Sequence, residues 1–205
     1  MEPFALTTAI LFVLFVFVSF FGIPIEASFN KNLTMDNNVY FTISENYAKS
    51  KVMKWVIACL GLVLLVTFPI GIFYYVECNV PQSLYAATAV SALASLSGFL
   101  TLITLKWIKT TSQVHMTMAV LTFVLAALTL WVAAADVKTY VLSGVGSIGL
   151  LLAIIFGARS MDANFAGGSD RMNGVWVALG EFLLVISISI FMFVAAQSDD
   201  ECEVT

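Results

Sequence analysis

The feature that most constrains this chain is a series of six long apolar stretches, each close to the length that crosses a lipid bilayer. A membrane-spanning helix needs about 20 predominantly apolar residues. The stretches that meet this requirement cover residues 4–23, 55–76, 84–105, 114–135, 140–157 and 174–196. We therefore predict an all-α, polytopic integral membrane protein in which six transmembrane helices form a compact bundle.

The composition of the 205-residue chain excludes a soluble domain. Apolar residues make up 60% of it and charged residues only 11%, whereas a soluble domain is typically about 45–50% apolar and about 25% charged. A net charge of −4 leaves no basic excess for binding nucleic acid. We predict a single transmembrane domain over residues 1–205, with membrane lipids and other membrane proteins as its partners.

The first apolar stretch has a second interpretation, a cleaved signal peptide with residues 25–27 as the cleavage site. The residues that precede the stretch, Met1 to Pro3, carry no positive side chain, and the stretch is longer than a usual signal core. These two properties favour a retained first helix.

Small residues predict where the helices approach one another most closely. The third span is rich in alanine, serine and glycine, and the fifth contains Gly144, Gly146 and Gly149. The fifth-span glycines formally match a dinucleotide-binding motif, but that motif requires a preceding strand. Within an apolar helix they indicate tight helix packing instead. Pro69 predicts a kink in the second span.

Two sequence signals disagree about orientation. Six spans place both termini and the second and fourth loops on one side, here called the terminal face; the first, third and fifth loops form the loop face. The terminal face carries one basic residue, Lys138, and the positive-inside rule therefore makes the loop face cytoplasmic. The basic residues of the loop face are Lys31, Lys49, Lys51, Lys54, Lys106, Lys109, Arg159 and Arg171. The sequon at Asn32 predicts instead that loop 24–54 is extracytoplasmic and glycosylated.

The three cysteines leave the question of compartment open. Cys59 lies within the second span and is predicted to be a small core residue. Cys78 and Cys202 both lie on the terminal face. If that face is lumenal the two thiols can pair, whereas cytosolic thiols would remain reduced and available for acylation.

Two ionisable residues within or at the edge of the spans, His115 and Glu181, are candidate functional positions. Ionisable side chains are costly in lipid, and those that occur there usually have a role. One histidine cannot build a metal site alone, and no Cys/His cluster has metal-ligand spacing. We therefore predict no catalytic residue, no metal and no cofactor, and a protein that is not an enzyme.

Three short motifs stand out along the chain. The first is Ile43-Ser44-Glu45 at the end of the first loop, and the second is Ser97-Gly98 followed by His115 at the start of the fourth span. The third is Ala178 to Phe182 around Glu181. Together they resemble the FRAG/DRAM/SFK family of six-span proteins, which includes damage-regulated autophagy modulators and a GPI-anchor lipid-remodelling factor.

The resemblance implies a non-enzymatic modulator of autophagy, of lysosome function or of membrane lipid organisation. It implies an endomembrane (lysosome or endosome) or plasma-membrane location, cytosolic termini and an extracytoplasmic loop 24–54, and we favour that orientation. The candidate functional polar positions are Ile43, Ser44, Glu45, His115 and Glu181. A small transporter or channel is the alternative, and a lipid-remodelling (GPI-anchor) factor is less favoured.

Overall fold

Helices account for nearly all of the chain that the structure, a computed structural model, describes: residues 3–29, 51–107, 113–162 and 171–198. Side chains are described over 3–21, 55–102, 114–115, 117–157 and 175–198. The six α-helices in these ranges are α1 (Pro3–Phe29), α2 (Lys51–Asn79), α3 (Leu84–Trp107), α4 (Gln113–Ala133), α5 (Val137–Asp162) and α6 (Arg171–Gln197). The predicted all-helical class is confirmed for these ranges, which contain no strand.

Five of the helices are long and apolar enough to cross a membrane. Their apolar portions are Pro3–Phe21, Trp55–Asn79, Pro81–Leu102, Val137–Gly157 and Val175–Gln197, and α4 contributes a shorter one, Thr117–Ala133. A lipid environment offers the backbone no hydrogen-bond partner, so such segments satisfy their own N–H and C=O groups by forming helices. The chain is a helical, membrane-embedded protein.

The distribution of side chains is that of a bundle surrounded by lipid. Large apolar residues such as Phe17, Val66 and Ile148 are about half exposed on the outer surface. Several polar side chains lie inside instead, where hydroxyl groups can bond to neighbouring backbone carbonyls. The buried polar residues are Thr8, Ser19, Thr67, Ser91, Ser97, His115, Thr129, Thr139, Ser143, Glu181, Ser187 and Ser189.

The six helices pack in a ring that follows chain order. Each helix contacts the next one along the chain, and α1 also packs against α6, which closes the ring. The Ser189 hydroxyl on α6 donates a hydrogen bond of 3.0 Å to the backbone carbonyl of Ala9 on α1. Near the terminal face the Tyr75 ring packs edge-on against Phe191, with ring centroids 5.4 Å apart. These contacts make α1 an integral part of the core.

The helices α5 and α6 approach each other closely at a pair of glycines. A β-carbon placed on Gly149 would lie 2.6 Å from the carbonyl oxygen of Gly180, and one placed on Gly180 would lie 2.6 Å from the amide nitrogen of Ala153. Gly146 also faces close neighbours, whereas Gly144 has no other atom within 4 Å of a β-carbon placed on it. The predicted role of the fifth-span glycines in tight packing is thus confirmed at two of the three positions.

Two further predictions concern α2. The helix runs without a break through Pro69, and the kink itself stays a prediction. Cys59 was expected in the core, and that prediction is wrong, because the side chain is exposed on the outer surface of α2. Lipid is as apolar as a protein interior, so the thiol of an apolar helix can face the lipid as readily as the interior of the bundle.

The connection between α4 and α5 is fixed by a hydrogen-bonded cap. The Asp136 carboxylate accepts bonds from the backbone N–H and the hydroxyl of Thr139, at 2.8 and 2.6 Å. The Thr139 hydroxyl oxygen in turn accepts from the backbone N–H of Asp136 at 3.0 Å. These bonds satisfy N–H groups at the start of α5 that lack partners within the helix. They also lower the pKa of Asp136 below its ordinary value.

Candidate functional site

A cavity of about 140 Å³ lies inside the bundle, between its middle and the loop face. Five helices line it, all except α5. Most of its wall is aliphatic or aromatic, as in Phe12 and Phe15 of α1 and Leu64 and Phe68 of α2. Its volume is similar to the roughly 150 Å³ engineered cavity that binds benzene in another protein. The space therefore fits a small ring or a segment of an acyl chain.

Small residues on the facing helices keep this cavity open. Ala94 and Gly98 of α3 and Ala119 and Ala126 of α4 all contribute to its wall. Ala94 belongs to a stripe of small buried residues that repeats every three or four positions along α3: Ala87, Ser91, Ala94 and Ser97. The small-residue composition of the third span was predicted to serve helix packing, and in the structure it also limits how far side chains fill the interior.

Glu181 is the one ionisable residue on the cavity wall that the structure describes. It lies six residues inside the apolar portion of α6, or about 9 Å along the helix axis. Its side chain is only 5% exposed. Apolar residues of the same helix, Leu184, Val185 and Ile188, continue the wall towards the terminal face. The cavity thus combines a carboxyl group near one end with an apolar remainder.

Two threonines add hydroxyl groups to this wall at the seam between α3 and α4. The Thr101 and Thr122 hydroxyl oxygens lie 3.3 Å apart. Each hydroxyl also donates to a carbonyl of its own helix, Thr101 to Ser97 at 2.8 Å and Thr122 to Met118 at 2.7 Å. With their protons engaged in this way, the two hydroxyls offer the cavity mainly acceptor lone pairs.

His115 contacts the same α3–α4 interface from outside the cavity. The ring is fully buried and is hydrogen-bonded to the backbone of Thr101. His115 does not line the cavity, so its direct contribution is to hold the start of α4 against α3. Thr101 therefore connects the two residues singled out from the sequence, because its backbone bonds to His115 and its side chain shares the cavity wall with Glu181.

Several predicted positions fall outside the part of the chain that the structure describes. These positions are Ile43, Ser44 and Glu45, the sequon at Asn32, and Cys202. Sequence reasoning missed Thr101 and Thr122, because a threonine that bonds to its own helix is common in apolar spans and carries no signal of its own.

A second polar cluster lies at the terminal face. The Tyr75 side chain of α2 lies near the Thr139 side chain of α5. The Asn79 amide at the end of α2 donates to the Ser198 hydroxyl, 3.3 Å away, just beyond α6. This bond joins the end of α2 to the end of α6, which makes it a structural link.

Next to this cluster, Cys78 is disulfide-bonded. A sulfur in a disulfide has no thiol to acylate, so the structure departs from the predicted acylation at this position and follows the pairing alternative. The second predicted acylation position, Cys202, lies outside the described residues.

The described wall of the cavity combines a few polar groups with a large apolar surface. Within the described residues no three His, Cys, Asp or Glu side chains come together as a metal site. What the cavity offers is one carboxyl group and hydroxyl acceptors at the edge of an apolar space. Comparison with known proteins adds no relative: no family model, no curated protein and no solved structure matches this chain.

Proposed function

We propose that this protein is a non-enzymatic, six-span membrane protein whose internal cavity binds an amphiphilic lipid. The main observation that supports this proposal is the cavity of about 140 Å³ with Glu181 on an otherwise largely apolar wall. Ligand sites are typically apolar with a few polar groups that set orientation. An ionisable side chain within a span is a functional candidate by default.

The sixth span in this proposal is α4. Its 21 residues extend over about 31 Å at 1.5 Å per residue, which matches the roughly 30 Å hydrocarbon thickness of a bilayer. Aromatic side chains support the placement of the bundle, since Trp131 and Tyr140 lie together near the terminal face, with ring centroids 6.1 Å apart. Tryptophan and tyrosine concentrate where a bilayer meets water.

The chemistry of the wall indicates what kind of lipid would bind. Thr101 and Thr122 present hydroxyl acceptors, and an ionised Glu181 would accept as well. A bound molecule would therefore carry a hydrogen-bond donor, such as a hydroxyl, an amine or an amide N–H, on an apolar chain or ring. The cavity volume admits only part of a membrane lipid, so the rest of the molecule would extend between helices into the bilayer.

Such a protein would act on membrane lipid organisation, and through it on autophagy or lysosome function in an endomembrane or at the plasma membrane. This is the activity that the resemblance to the FRAG/DRAM/SFK family implies. The test is to express Glu181→Gln and His115→Ala variants at the wild-type level and to measure membrane lipid distribution and autophagic flux. We expect Glu181→Gln to reduce the effect of the wild type; no change in either measurement for either variant would refute the functional role.

A transporter or channel is the second candidate, favoured by the placement of Glu181 on a cavity inside the membrane. A carboxyl group there can bind a cation or a proton during passage. Purified wild-type protein in liposomes would then support ion or solute flux that Glu181→Gln abolishes. Flux no greater than that of empty liposomes would exclude this candidate and leave the lipid-binding proposal standing.

A further inference from the structure

The disulfide at Cys78 indicates which side of the membrane the terminal face occupies. Cys78 is disulfide-bonded, Cys59 is free, and the chain contains three cysteines. We propose that Cys78 pairs with Cys202 and that the terminal face is the extracytoplasmic face of the bundle. This inference concerns a different end of the molecule from the cavity and does not depend on the proposed lipid binding.

The geometry at the end of α6 brings the C-terminal tail within reach of Cys78. The Asn79 amide donates to the Ser198 hydroxyl at 3.3 Å, so the residue next to Cys78 already contacts the start of the tail. Ser198 is itself held by a 2.9 Å bond from its hydroxyl to the carbonyl of Ala195. Cys202 follows four residues later, and four residues of extended chain span at most about 14 Å. Pairing therefore requires no rearrangement of the helices.

A stable disulfide requires an oxidising compartment. Cytosolic thiols are kept reduced, whereas the secretory lumen and the cell exterior allow disulfides to persist. In thiol–disulfide exchange, the Cys78 and Cys202 thiols together give up two protons and two electrons to the disulfide of a lumenal oxidoreductase. The new sulfur–sulfur bond forms as the bond in the oxidoreductase breaks to a dithiol. This reaction is available to the terminal face only if that face is lumenal.

The distribution of basic residues independently gives the same orientation. Eight of the nine lysines and arginines belong to the loop face, and Lys138 alone belongs to the terminal face. The positive-inside rule places the richer face in the cytoplasm, which leaves the terminal face outside it. Both observations oppose the orientation implied by the family resemblance. With the loop face cytoplasmic, Asn32 would not be glycosylated, because glycan attachment occurs on the lumenal side.

The pairing can be measured on the full-length protein by sequential thiol labelling. Denatured membranes are treated with N-ethylmaleimide to block free thiols, then reduced and labelled with a polyethylene-glycol maleimide. We expect two adducts on the wild type and none on Cys78→Ser or Cys202→Ser. Cys59→Ser is the matched control and should keep both adducts. Fewer than two adducts on the wild type, or any adduct on Cys202→Ser, would overturn the pairing.

The orientation can be measured without any cysteine substitution. A C-terminal epitope tag should resist protease in sealed microsomes and be digested once detergent opens them. Asn32→Gln should leave the mass unchanged, and glycosidase should not shift the wild type. Digestion of the tag in sealed microsomes, or a glycan on Asn32, would overturn the orientation and leave the cavity argument untouched.

Discussion

Replacing Gly149 by alanine should separate α5 from α6 at their closest point. A β-carbon there would lie 2.6 Å from the carbonyl oxygen of Gly180, 2.8 Å from the amide nitrogen of Leu184 and 3.0 Å from the β-carbon of Leu183. Two of these three neighbours are backbone atoms, which cannot rotate away as the end of a flexible side chain can. The helices themselves must therefore move apart.

The size of the effect follows from two opposing terms. Overpacking a well-packed interface typically costs about 1–3 kcal/mol. Alanine is a better helix former than glycine by about 1 kcal/mol, which partly offsets that cost. Gly144 lies on the same helix but has no other atom within 4 Å of a β-carbon placed on it. Gly144→Ala should therefore gain the helix propensity of alanine without the cost of overpacking. We expect the two variants to differ in free energy of unfolding by about 1–3 kcal/mol.

The assay is unfolding of the purified protein in mixed micelles of increasing denaturing detergent, followed by the loss of helical circular dichroism. Gly144→Ala should unfold at or above the wild-type midpoint, and Gly149→Ala below it. Gly180→Ala should resemble Gly149→Ala, and the double variant should lose less than the sum of the two, because both substitutions open the same contact. Equal midpoints for Gly144→Ala and Gly149→Ala would refute this account of the α5–α6 interface.

Three other predictions concern side-chain hydrogen bonds. Asp136→Ala should cost about 1 kcal/mol of cap stabilisation. The bonds from Thr139 lower the pKa of Asp136 in the folded state. The loss in free energy of unfolding should therefore be full above the ordinary pKa of about 3.9 and should vanish as the pH falls through the lowered pKa. A loss that stays constant in unfolding titrations across that range would contradict this prediction. Ser189→Ala removes the hydrogen bond to Ala9 and should lower the free energy of unfolding by about 0.6 kcal/mol in the same assay. An unchanged unfolding midpoint would contradict this prediction. His115→Leu removes the bond to Thr101 and should cost about 0.6–1.7 kcal/mol; wild-type stability would exclude a role for His115 in joining α3 and α4.

Span length and hydropathy predicted the helices well because both are properties of a continuous stretch of chain. The side of each helix that faces inward was harder to predict. Cys59 illustrates why, since an apolar helix in lipid shows no contrast between its inner and outer surfaces. The glycines of α5 were easier to interpret, because an absent side chain has few uses in a helix other than close approach, as at Gly149.

The candidate site could be predicted only in part for a similar reason. Glu181 stood out because a carboxyl group is costly within a span. The cavity beside it did not, because it is formed by what five helices leave unfilled, which is not a property of any one segment. Thr101 and Thr122 carried no signal, since each satisfies its hydroxyl within its own helix.

The central claim, that the cavity binds an amphiphilic lipid, is tested most directly by counting lipids retained on the purified protein by native mass spectrometry. Ala94→Leu on α3 adds a side chain to the cavity wall, and Ala92→Leu adds the same side chain to the exposed surface of that helix. We predict that the wild type and Ala92→Leu retain the same donor-bearing lipid and that Ala94→Leu, still folded by circular dichroism, loses it. Retention by a folded Ala94→Leu equal to that of Ala92→Leu would contradict the claim.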